Sequence, residues 1–108
     1  MQYALELTAT AKADLSEIFT YIKTAFLDAD TARSQVMRIK DTIMGLEQLP
    51  ERFPLIPRET MGDCDIRKVL VDNYIVFYQI QPQPPIVYVL RVVYCRRNWG
   101  TLLQDNNT

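Results

Sequence analysis

The chain contains no histidine, so the commonest general base and the commonest metal ligand are both missing. Its two cysteines, Cys64 and Cys95, show no metal-ligand spacing. A disulfide between them and a pair of idle thiols are both open, and the second suits a reducing compartment. No metal and no cofactor are therefore expected, and any catalysis must use other groups. No apolar run approaches the ~20 residues of a membrane span. The opening stretch Met1–Lys12 has neither the basic start nor the apolar core of a secretory signal. The expectation is a soluble cytoplasmic protein with no membrane contact. Net charge is only −1, so nothing global advertises a nucleic-acid partner.

What is present is ordinary globular material: 108 residues, 48% hydrophobic and 23% charged. That length predicts a single domain over residues 1–108, with a frayed tail at about 104–108. The charge is unevenly spread. Between Ile66 and Arg97 stand Arg67, Lys68, Arg91, Arg96 and Arg97 against Asp72 alone. Residues 1–54, by contrast, hold more acids than bases. Such asymmetry points to a directed surface in the C-terminal part.

Tyr3, Leu5 and Leu7 alternate with Ala4 and Glu6, which predicts a short first strand. From about Thr10 to Phe26 the period changes. Leu15, Ile18, Phe19, Ile22 and Phe26 fall at helical spacing, and Asp14 lies near the end where the helix dipole favours a carboxylate. Asp28 or Asp30 can cap a second helix, whose apolar face is Val36, Ile39, Ile43 and Leu46. Gly45 weakens that helix, and Pro50 ends it. Leu49–Pro57 is a proline-punctuated crossing, and Gly62-Asp63 marks a turn. Three strands follow at about Ile66–Val71, Tyr74–Ile80 and Ile86–Tyr94. Asp72-Asn73 suits a two-residue hairpin, and Gln81–Pro85 reads as a rigid turn outside any ladder. The fold class expected is α+β: an N-terminal strand and an antiparallel helical hairpin packed on a mainly antiparallel four-stranded sheet.

Strict alternation along the last strand puts Val87, Val89, Arg91, Val93, Cys95 and Arg97 on one face and Ile86, Tyr88, Leu90, Val92, Tyr94 and Arg96 on the other. Polarity arrives abruptly at Tyr94-Cys95-Arg96-Arg97-Asn98-Trp99. Two readings are open. In the first, a strand leaves the core and its arginines sit in water. In the second, Arg67 converges with Arg96 or Arg97 on a phosphate, which arginine forks match bidentately, while Tyr94 and Trp99 stack on bases. Arginine beside aromatics also describes a protein-binding hot spot.

The order of short strand, helical hairpin, Leu49-Pro50-Glu51-Arg52 crossing, Ile66-Arg67-Lys68, Asn73–Tyr78 and Val89–Arg97 resembles the RelE/ParE toxin superfamily over about residues 2–99. The resemblance implies a growth-inhibiting toxin of a type II toxin–antitoxin module, neutralised by an antitoxin protein encoded beside it. It implies one of two targets. RelE-like members are metal-independent endoribonucleases that cut mRNA on the ribosome; ParE-like members poison DNA gyrase without nuclease chemistry. On the nuclease reading, Arg67, Arg97 and Tyr94 would be catalytic, and Lys68, Arg96 and Trp99 would hold the substrate. Asn98 and Trp99 stand where some of these nucleases carry histidine or tyrosine, so no leaving-group acid is evident. A third possibility is an interaction module without toxicity.

Overall fold

The computed structural model describes residues 2–56 and 65–97. Along the chain come β1 (Ala4–Leu7), α1 (Ala9–Phe26), α2 (Ala29–Gly45), a 3-10 turn (Pro50–Arg52), β2 (Arg67–Val71), β3 (Tyr74–Pro82) and β4 (Pro85–Tyr94). The Gly62-Asp63 turn, Cys64, Asn98, Trp99 and the tail at 104–108 lie outside the described residues.

Local chemistry sets the helix ends. Thr8 caps α1, its Oγ accepting from the Ala11 amide at 3.0 Å. Leu27 then adopts a left-handed conformation (φ 51°), and Asp28 caps α2 by accepting from the amides of Asp30 and Thr31. Those bonds, led by the one from the Thr31 hydroxyl, lower the Asp28 pKa. The second helix stops at Gly45, well before Pro50. Gly45 is thus its last residue, and the interior penalty expected from the sequence does not apply.

The sheet is mixed, in the order β1-β4-β3-β2. β2, β3 and β4 form the expected antiparallel meander, and β1 joins the far edge parallel to β4. Helix α1 lies over β4 and β1, and α2 lies over β2 and β3. Ile18 and Ile22 from α1, Ile39 and Ile43 from α2, and Val76, Tyr78, Val87 and Val89 from the sheet form the core between the layers. A smaller cluster of Ile56, Ile66, Ile75, Phe77 and Val93 occupies the opposite face.

Two sequence expectations change. The ladder between β3 and β4 runs through Gln81–Ile86 to the closing pair Pro82–Pro85, leaving only Gln83 and Pro84 as the turn. Prolines are tolerated there because the hairpin's last pair has no further bonds to make. The alternation of β4 also breaks. Phe77 pairs with Arg91 while Tyr78 pairs with Val89, so Leu90 is an extra residue, a β-bulge. Beyond it Val92 packs under the helices and Val93 on the other face, the reverse of simple alternation.

The bulge is held by side chains. β1 ends at Leu7 opposite Val89, so the following groups of β4 have no strand beside them. Thr8 donates its amide to the Val89 carbonyl and its hydroxyl to the Leu90 carbonyl. Asp14 accepts from the Val92 amide at 3.0 Å and grips the Arg91 guanidinium with both oxygens, at 2.9 and 2.8 Å. Asp14 faces inward, on the ridge of Ala11 and Ile18, instead of serving the helix dipole from outside.

Candidate functional site

The two ends of the sheet differ in what they do with their polar residues. At the end where β1, β2 and β4 begin, everything converges on the crossing after α2. Tyr3 donates its hydroxyl to Glu51 at 2.8 Å; that bond is the chief cause of a raised Tyr3 pKa and a lowered Glu51 pKa. Arg67 donates to the carbonyls of Glu51 (2.9 Å) and Phe53 (2.6 Å). Arg52 lies over the Phe53 ring, 4.8 Å from its centroid. Tyr78, fully buried, donates to the Pro50 carbonyl, and burial pushes its phenol up to about 12. The crossing has too little regular structure to pair its carbonyls, so neighbouring donors do.

At the other end, where β4 finishes, a groove of about 670 Å³ opens between α1, the start of α2 and the β2–β3 turn. Ile18, Ile22 and Val92 line it, with Tyr74, Tyr94 and Arg97 along the sheet side. Tyr21 and Phe26 stand on its α1 side with about two-thirds of their surface in solvent, 65% and 66%. Tyr74 and Tyr94 meet edge to face, with centroids 5.9 Å apart, the favoured aromatic geometry. Burial is the main reason that the Tyr74 pKa is raised. Past Tyr94 the chain turns, with the Arg97 amide bonded to the Tyr94 carbonyl.

The sequence-predicted residues are therefore divided. Tyr94 and Arg97 share the groove, and Arg96 is exposed beside it. Arg67 and Lys68 belong to the opposite end. From the register, Arg67 lies about 13 Å along the strands from Tyr94 and two strands across. Trp99 lies outside the described residues. Arg91, counted as part of the basic surface, is paired with Asp14, their side chains only 12% and 7% exposed.

The sequence profile of the ParE toxin of the type II parDE toxin–antitoxin system matches residues 5–99. The chain belongs to the ParE toxin family. With it comes membership of the RelE/ParE superfamily and the role of toxin in a type II toxin–antitoxin system. Solved structures share the fold. A chromosomal ParDE system from P. aeruginosa aligns with 86% of this chain and 96% of its own at 19% identity, with a TM-score of 0.70. A double arginine mutant of E. coli toxin RelE in the free state aligns over 99% and 98% at 16% identity, with a TM-score of 0.66. The archaeal RelE–RelB complex from Pyrococcus horikoshii gives 90% and 99% at 19%, with 0.61. No curated protein matches in sequence.

Within this family frame, sequence reasoning missed four contributors: Asp14, Tyr21, Tyr74 and Tyr78. Asp14 alone left a signal, being a carboxylate on the apolar ridge of an amphipathic helix. Among the described residues no cluster of acids and cysteines could hold a metal, and no helix is long and apolar enough to cross a membrane. The groove offers aromatic faces, aliphatic walls, one guanidinium and the Glu17 carboxylate at the rim. That chemistry suits a protein side chain entering an apolar cleft.

Proposed function

We propose that this toxin acts by contact rather than by cutting RNA, binding DNA gyrase through the groove that ends in Tyr94 and Arg97. The observation that carries the reading is the division of the basic residues. Arg67 is committed to the Glu51 and Phe53 carbonyls and Arg91 to Asp14, so of the arginines on the described sheet strands neither is free to meet charge developing on a phosphate beside Tyr94. The exposed aromatics Tyr21 and Phe26 supply area of the kind that dominates protein interfaces. In the cell the toxin would be cytoplasmic, held inactive by an antitoxin encoded beside it. The solved ParDE and RelE–RelB systems that share its fold support such a partner.

One observation favours the nuclease as a second reading: Tyr94, Arg96 and Arg97 remain close together and solvent-facing, a small phosphate-and-base platform. A paired assay separates the two. Purified toxin freed of antitoxin is added to a gyrase supercoiling reaction and, in parallel, to in-vitro translation with primer extension on the message. The expected result is blocked supercoiling or trapped DNA breaks with intact message. Cut message with normal supercoiling would overturn the contact reading.

A further inference from the structure

The groove beside Tyr94 is uneven in charge. Its floor is buried and aliphatic, made by Ile18 and Ile22 of α1 and Val92 of β4. Four rings stand around that floor, Tyr21 and Phe26 on the α1 side and Tyr74 and Tyr94 on the sheet side. Burial first, then the neighbouring phenols of Tyr21 and Tyr94, raise the Tyr74 pKa, so three of the rings lie close together. The carboxylates all belong to α1. Glu17 is exposed one turn before Tyr21, which makes the two side chains neighbours on the helix. Asp14 lies a turn further back, with both oxygens already on the Arg91 guanidinium. Arg97, at the sheet end, is the one cation of the lining among the described residues. No hydrogen bond or ion pair within the described residues engages the side chain of Glu17 or of Arg97.

Resting on the contact reading above, we infer that the groove is a socket for an arginine side chain of the toxin's target, received on the α1 side between Glu17 and the aromatic faces. An aromatic face attracts a cation through the ring quadrupole, and the unpaired carboxylate one turn away supplies the counter-charge. A guanidinium satisfies both at once, because its plane stacks on a ring while its edge donates to the carboxylate. The chain uses each half of this pairing elsewhere. Arg52 lies 4.8 Å from the Phe53 centroid, and Asp14 grips Arg91 beside the groove floor. The aliphatic floor of Ile18 and Ile22 suits the arginine's methylene stem. Arg97 sets the direction of entry, since it repels a cation from the sheet end and leaves the α1 side as the only favourable seat. An acidic side chain, or a nucleic-acid backbone, would bring the wrong sign to Glu17. A purely aliphatic one would leave that carboxylate without a partner.

The test titrates purified toxin against gyrase at low and high salt and measures supercoiling inhibition beside binding. Wild-type affinity should fall as salt rises. Glu17→Gln should weaken binding about tenfold and flatten that dependence. Tyr21→Leu, which keeps an apolar side chain but loses the ring face, should weaken it about fivefold or more. Tyr21→Phe, which keeps the face, should lose much less than Tyr21→Leu. Asp41→Asn removes the same charge as Glu17→Gln from the second half of α2, outside the groove, and should bind as wild type. Glu17, Tyr21 and Asp41 are all exposed, so every variant should melt with the wild type. Wild-type binding by Glu17→Gln or by Tyr21→Leu would overturn the inference and leave gyrase as the target. So would an equal loss in Tyr21→Phe and Tyr21→Leu, which would assign the contact to the hydroxyl. If wild-type toxin neither binds nor inhibits gyrase, the inference falls together with the reading it rests on.

Discussion

The two ends of this sheet hold similar residue types and use them in opposite ways. At one end Tyr3, Arg67 and Tyr78 spend their donors on the irregular crossing between α2 and β2. At the other, Tyr94, Arg96 and Arg97 reach solvent, and Tyr21 and Phe26 stand over an open groove. Arg67 and Tyr78 substitute for missing backbone partners, because Leu49–Phe53 contains no strand or α-helix to absorb its carbonyls, and Tyr3 holds the Glu51 carboxylate beside them. The second follows a strand whose last residues have already left the core. An arginine in a sequence is thus a set of donors before it is a charge, and what lies opposite decides which role it takes.

The contrast can be broken most sharply at Asp14, which braces the strand that leads to the open end. Asp14→Ala strands the Arg91 guanidinium and the Val92 amide under α1, and should cost about 3–5 kcal/mol in denaturant unfolding. A loss under ~1 kcal/mol would mean that the bulge is held by other contacts. Next in size is Tyr78→Phe, which leaves the Pro50 carbonyl without its donor and should cost about 1–3 kcal/mol. The same phenol gives a pH signature. It ionises near ~10 in an unfolded chain and at about 12 in the fold. Its contribution is therefore complete below the lower value and is lost as pH rises through the higher one. Wild type should lose stability across that alkaline window more steeply than Tyr78→Phe.

Arg67→Ala should cost about 1–2 kcal/mol through the two freed carbonyls, with gyrase inhibition per folded molecule unchanged. A large loss of activity at unaltered stability would move Arg67 from the tied end into the working site. Tyr94→Ala is the mirror experiment. Its edge contact with Tyr74 is worth no more than about 1.5 kcal/mol. Inhibitory potency should nevertheless fall about tenfold or more, as for an aromatic interface anchor. The smallest effect belongs to Asp72, where the Arg38 and Gln35 hydrogen bonds lower the carboxyl pKa. That contribution is present above the ordinary aspartate value and fades as pH falls through the lowered one. Asp72→Asn should flatten the acid limb of the stability profile slightly and leave neutral stability near wild type.

Much of the architecture was legible because periodicity reports burial directly. Ile18, Ile22, Ile39 and Ile43 sit under the sheet as their spacing requires, and Asp72-Asn73 closes its hairpin. The parallel placement of β1 beside β4 was not legible, since a short strand of alternating residues carries no mark of its partner. The site was readable only at its sheet side, through Tyr94 and Arg97. Tyr21 and Phe26 lie on a helix whose amphipathic pattern explains them equally well as ordinary surface. The expected meeting of Arg67 with Arg97 rested on sequence order, which does not say that the start of β2 and the end of β4 lie at opposite ends. Nor does composition show which arginines a carbonyl or a buried carboxylate will claim.

Leu90 has an influence out of proportion to its position. As the extra residue of the bulge, it acts as a half-turn in the strand: everything after it presents the other side to the helices. Were the bulge flattened with Leu90 kept in the ladder, strict alternation would send Arg91, Val93 and Cys95 toward α1, while Tyr94 would look out from the far side of the sheet. Losing Leu90 would leave those faces as they are, whereas pairing Leu90 within the ladder would exchange the groove's aromatic wall for a thiol and an aliphatic chain without altering any residue that lines it. For a protein of this fold, the register break in β4 is as much a determinant of what it can touch as the identity of its tyrosines.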